Sequence, residues 1–143
     1  MHRIINLDNM EDFVFSYEME VRDYECDLQG IVNNAVYQNY LEHTRHMYIK
    51  SIGIDFAELS ERGINLLVKR VEIDYKYSLR SGDKFISVLK MERLSPLRFG
   101  FVQRIYRQPD NKLVIVALVT GTAINERGRP ELPDELIKVW GIG

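Results

Sequence analysis

Cysteine is almost missing from this chain: Cys26 is the one thiol in 143 residues. No intrachain disulfide can form, and a reducing, cytoplasmic setting is expected. Charge of one sign is missing too, with 19 basic against 21 acidic residues and a formal net charge of −2. Without a dominant basic stripe, nucleic acid is not expected as a partner. No apolar run approaches the roughly 18 residues of a membrane span. The opening Met1–Asp8 turns acidic too soon for the apolar region of a secretion signal. His43 and His46 stand three apart in a helical pattern with no third ligand nearby in sequence, so no metal is expected. There is no repeat, low-complexity stretch or linker, which points to a single domain over 1–143.

What is present reads as an ordinary globular composition, 45% hydrophobic and 28% charged. Residues 13–22 alternate: Phe13, Phe15, Tyr17, Met19 and Val21 share one parity, as in a half-buried strand. Residues 35–52 follow a helical period, with Val36, Tyr37, Tyr40, Leu41, Met47, Tyr48 and Ile52 along one side. Gly53 suits the helix end. A short helix over 55–61 closes at Gly63. From Ile64 to Ile124 the chain reads as strand, and the parity flips near Lys69-Arg70, predicting a bulge or bend. Ser81-Gly82-Asp83 and 109–112 read as turns. Residues 113–119 are apolar on both faces, as in a covered central strand. The tail, 133–140, reads as a helix with Pro133 in its first turn. One long helix and strands joined mostly by hairpins imply an α+β fold, with a curved antiparallel sheet wrapped around one long central helix. A single helix leaves sheet edges bare, so a homo-oligomer is expected, a homodimer or a homotetramer.

The chemistry concentrates in residues 21–37. There the chain leaves a strand, makes a turn holding Asp27 and Gly30, and enters the long helix through Asn33-Asn34. Such a segment can bring one carboxylate near unpaired N–H groups at a helix start, which are what cleavage of an acyl bond needs. Asp27-x-x-Gly30-x-Val32-Asn33-Asn34-x-x-Tyr37-x-x-Tyr40-x-Glu42-x-x-Arg45 resembles the signature of hotdog-fold acyl-CoA thioesterases of the 4-hydroxybenzoyl-CoA thioesterase type. The likeness continues through residues 68–77, the Leu79–Asp83 turn and a late segment holding Gly128-Arg129-Pro130.

That resemblance implies hydrolysis of an acyl thioester, with no cofactor beyond the coenzyme A of the substrate. It implies Asp27 as nucleophile or general base and the main-chain N–H of Asn34 as the group that polarises the carbonyl. Many close relatives carry His and an aromatic where Asn33-Asn34 stand here. The Asn-Asn form is nearer to relatives linked to acyl chains on carrier proteins, so acyl-CoA and acyl-carrier protein both remain open as substrates.

Each residue also has a plainer use. Asp27 can bond to nearby backbone amides of its turn. Asn33 and Asn34 sit where helix caps sit, and Gly30 can be an ordinary turn glycine. Tyr37 belongs to the apolar stripe besides being a candidate substrate contact. Glu42 can pair with Arg45 or His46 on the helix, or can orient water or the loop. Lys69 and Arg70 are candidates for the phosphates of a carrier, with Arg98, Arg127 and Arg129 behind them. Cys26 has no histidine at a recognisable spacing and is not expected to attack. Two alternatives stay open beside hydrolysis: a non-catalytic acyl-thioester-binding domain, and an enoyl-thioester hydratase, which normally needs a His where Asn33-Asn34 stand.

Overall fold

A computed structural model describes residues 12–143. The Met1–Asp8 stretch discussed above lies outside them. In order come β1 (Phe15–Glu20), α1 (Asn34–Ser51), α2 (Phe56–Glu61), β2 (Asn65–Tyr75), β3 (Lys84–Ser95), β4 (Arg98–Gln108), β5 (Lys112–Ile124) and α3 (Asp134–Trp140). The strands form one antiparallel sheet in the order β1-β3-β4-β5-β2.

The α+β expectation holds, but the connections do not all run between neighbours. β3–β4 and β4–β5 are hairpins. β2 instead pairs with β5 at the far edge, so the chain crosses the whole sheet through the Ser81–Asp83 turn before entering β3. The parity flip near Lys69 is a register shift between Val68 and Arg70. It bends the edge strand where one extra residue has no partner. The tail helix begins at Asp134, with Pro133 as its N-cap outside the first turn.

Helix α1 starts one residue earlier than its hydrophobic period suggests, because Asn33 Oδ1 accepts the Ala35 N–H at 3.0 Å and fixes the start at Asn34. Its buried residues are Tyr37, Tyr40, Leu41, Thr44, Tyr48 and Ile49. Thr44 is the polar member that the apolar stripe hides: its hydroxyl meets Tyr40 O and Ser87 Oγ, each at 2.8 Å. Met47 and Ile52, expected on the buried side, are only half-buried. The helix packs over β1 and β3, which sit beside each other, and a pocket opens between α1 and β2. One core cluster gathers around the first half of α1, and a second is closed by Trp140 of α3 against Phe99 and Phe101.

Candidate active site

Between β1 and α1 the chain makes a small hairpin of its own. Asn33 N–H donates to Glu25 O at 3.1 Å, Cys26 bridges Val32, and Asp27 N–H donates to Ile31 O at 2.9 Å. Gly30 N–H closes the tip on Asp27 O, with Gly30 at φ 79°, a conformation that costs any residue bearing a Cβ. Two further contacts fasten the returning limb to the sheet. Val32 N–H donates to Leu79 O, and Ile31 bridges Arg80.

Asp27 lies at the exposed tip. Its Oδ1 accepts from Gln29 N–H at 2.8 Å and from Ile31 N–H at 3.4 Å. The plain use of a turn aspartate is therefore real. Oδ2 accepts no bond from the described residues. At the other end, Asn34 is the first residue of α1. Ala35 N–H is taken by the Asn33 side chain and Val36 N–H by Asn33 O. Asn34 N–H has no acceptor among the described residues, and it points out of the positive end of the helix dipole. Asp27 pairs with Ile31, three residues before Asn34, so roughly 10 Å of extended chain separates the two rungs. The Asp27 side chain and a bound carbonyl together have to span that gap.

The remaining candidates separate. Tyr37 is 2% exposed, and its hydroxyl accepts Leu79 N–H at 2.9 Å, which ties α1 to the loop before β3. Burial raises its phenol above the usual range. Lys69 stands on the exposed bulge, and Arg70 pairs with Glu72 at 3.4 Å on the same strand, so these two cations do not converge on Asp27. Burial pushes the Cys26 thiol up, away from thiolate character. His43 stacks edge-on against Tyr17 and His46 against Phe56, and no group of potential metal ligands occurs among the described residues.

Glu42 is exposed at the mouth of an apolar pocket of about 130 Å³ floored by Ile49, Phe56, Leu66, Phe99 and Phe101. Arg45 forms one wall. Its guanidinium lies 5.8 Å above the Phe101 ring, and Nη1 donates to Gln103 Oε1 at 3.1 Å. Burial lowers the Arg45 pKa and the Glu42 charge partly restores it, so Glu42 acts on Arg45 electrostatically along the helix. This pocket lies on the β2 side of α1. At the start of the helix, the Tyr75 hydroxyl donates to Asn34 O at 3.4 Å. A second cleft of about 460 Å³ opens between β1 and α1, lined by Tyr17, Glu25, Tyr40 and His43 among others.

Sequence reasoning missed Glu25 and the hydroxyl of Tyr40, which bond at 2.9 Å. It also missed Gln103, which is fully buried and gives Nε2–H to Leu41 O at 3.1 Å. These pairs are separated by 15 or more residues, and no local pattern announces them.

Comparison with known proteins adds a family. Residues 21–139 match the model of the thioesterase-like superfamily. The chain is 38% identical over 125 residues to the chloroplastic acyl-acyl carrier protein thioesterase ATL2 of Arabidopsis thaliana, covering 87% of this chain and 66% of that protein. It is 36% identical to ATL3 of the same plant, covering 79% and 60%. The chain thus spans about two thirds of the length of these relatives or somewhat less. Among solved structures, a 1,4-dihydroxy-2-naphthoyl-CoA thioesterase from Synechocystis superposes with TM-score 0.81 at 20% identity, over 89% of this chain and 95% of that one. That likeness fixes the hotdog fold.

Proposed function

Because the chain belongs to the thioesterase-like superfamily, we propose that it is an enzyme hydrolysing an acyl thioester to free acid and thiol. The observation that carries this is the unpaired Asn34 N–H at the head of α1, directly after the small hairpin that holds the exposed Asp27. In one route the Asp27 carboxylate attacks the thioester carbon, and the oxyanion forms against the Asn34 N–H. Collapse expels the thiolate and leaves a mixed anhydride, which water cleaves to free acid and Asp27. In the other route Asp27 takes a proton from water as that water attacks, and the proton passes to the departing thiolate. Both routes need one carboxylate and one oxyanion donor, and neither asks for a metal. A thioester suits so sparse a site, since its thiolate leaves readily.

The groove between α1 and β2 is the proposed place of the acyl group. From Asn34 to Glu42 is about 12 Å along the helix, so a chain lying in the groove passes from the reacting carbonyl to the pocket lined by Phe56 and Phe101. Both coenzyme A and acyl-carrier protein are proposed carriers, the latter supported by what the two Arabidopsis relatives are named for. The exposed cations Lys69 and Arg70 are proposed to meet the carrier only in an assembled oligomer, where a second chain can bring them to a site.

The test is a panel of acyl-CoAs and acyl-carrier proteins assayed with a thiol-trapping reagent. Release of free thiol with free acid is the expected outcome. A hydroxyacyl product from enoyl substrates points instead to hydration, and binding with no product points to a non-catalytic receptor.

A further inference from the structure

We infer that Glu25 is a positioning residue for this site, setting the angle between the Asp27 turn and the head of α1. The proposal rests on the thioesterase reading and deepens it. The hairpin that carries Asp27 has two limbs, and they are fastened differently. The returning limb is held on the sheet side through Leu79 and Arg80. The outgoing limb, from Arg22 to Asp27, is held to the sheet side by Ser81, whose hydroxyl meets Asp23. Its one side-chain bond to α1 among the described residues is Tyr40 Oη–H to Glu25 Oε1, at 2.9 Å.

The same Glu25 oxygen accepts Arg22 N–H at 2.8 Å, and the Glu25 carbonyl accepts Asn33 N–H at 3.1 Å. One residue thus touches the start of the outgoing limb, the cap of the helix and a side chain nearly two turns into the helix. Tyr40 is itself fixed. It is 5% exposed, and its ring lies 4.7 Å from Phe85 and 6.0 Å from Tyr37 between centroids. Burial and the Glu25 bond together push its phenol far up, so it stays a donor. A carboxylate held by a rigid phenol on one side and by the turn on the other transmits the position of the helix to Asp27. Since Asp27 and Asn34 must straddle one carbonyl carbon, a shift of about 1 Å between their supports costs up to ~100-fold in rate. Glu25 need not touch the substrate for this.

The test uses the full chain and three variants, assayed on a hexanoyl-to-palmitoyl series of both CoA and acyl-carrier-protein thioesters, with kcat, KM and melting temperature measured for each. Glu25→Ala removes the one oxygen that accepts Arg22 N–H and Tyr40 Oη–H, keeps the carbonyl that accepts Asn33 N–H, and is expected to lower kcat by about 10- to 100-fold with little change in KM. Glu25→Gln keeps an acceptor oxygen for Arg22 N–H and Tyr40 Oη–H and is expected to restore most of the turnover. Tyr40→Phe, which breaks only the link to α1, is expected to fall between the two. Should Glu25→Ala fail to fold, the last two variants decide the matter. The proposal is overturned if Glu25→Ala turns over normally, if its loss lies in KM alone, or if Glu25→Gln is as impaired as Asp27→Asn, which removes the reacting carboxylate. A wild-type protein that releases no thiol from any member overturns the thioesterase reading itself, and this proposal with it.

Discussion

At the residue scale, the helix head offers an unusually clean experiment. Asn33 has φ −63° and ψ 136°, the extended conformation that a following proline requires, and Asn34 occupies the first helical position, where proline is well tolerated. Asn34→Pro therefore deletes one N–H while leaving in place the cap bond that Ala35 N–H donates to Asn33 Oδ1. If that N–H holds the oxyanion, turnover falls by about 10²- to 10³-fold with the melting temperature nearly unchanged. Asn34→Ala, which keeps the N–H, leaves turnover close to wild type. Equal rates for Asn34→Pro and Asn34→Ala would remove the amide from the mechanism. Asp27→Asn tests the other half by similar logic. The amide oxygen still accepts Gln29 N–H and preserves the turn, while nucleophile and base are both lost. Turnover drops by roughly 10²- to 10⁴-fold. Steady-state kinetics beside circular dichroism check both variants. Asp27, Gly30 and the Asn33 cap were legible in the sequence because each acts within four residues of itself. Glu25 was not, since what gives it meaning is a tyrosine 15 residues on.

At the scale of elements, periodicity found α1, the strands and even the bulge at Lys69, because burial imposes a period on every element that has an inside and an outside. It could not show which strands pair. The flanks of β2 read like any other strand's, and only the assembled sheet decides that β5, not β3, lies beside it. Nor could periodicity single out Thr44 on α1 or Gln103 on β4, polar groups buried because each finds a partner across the core. One glycine shows how tightly the β2–β5 pairing is set. A Cβ at Gly121 would stand 2.7 Å from the Phe99 ring and 2.9 Å from the carbonyl of Leu67 on β2. The ring can turn, but the carbonyl moves only if β2 withdraws from β5. Gly121→Ala is therefore destabilising by about 1–3 kcal/mol, whereas a surface alanine substitution stays within about 0.5 kcal/mol. Urea denaturation compares them. A Gly121→Ala protein as stable as wild type means that β2 is loosely held.

At the scale of the whole molecule, the site faces outward and so do apolar side chains beside it. Leu67, Val68, Val71, Tyr75 and Tyr77 are exposed along and just after β2, and Tyr24 and Leu28 are exposed on the hairpin of Asp27. β2 is an edge strand, so its backbone groups on one side are also unpaired. The opposite edge is guarded differently: the outward residues of β1 include Glu18 and Glu20, charges that repel a second copy of themselves. Exposed apolar side chains next to an open edge are costly to leave in water. A two-fold partner laid edge to edge along β2 covers it and places a second chain against the Asp27 hairpin. The chain is therefore expected to be a dimer or a pair of dimers at micromolar concentration by light scattering. Val71→Glu puts a charge opposite its own copy near the two-fold axis and is expected to shift the population to monomer. If the partner completes the acyl groove, turnover per chain falls as the monomer accumulates and recovers at higher protein concentration. A wild-type monomer at micromolar concentration contradicts the assembly. A monomeric Val71→Glu protein with full activity means that each chain carries the whole site by itself.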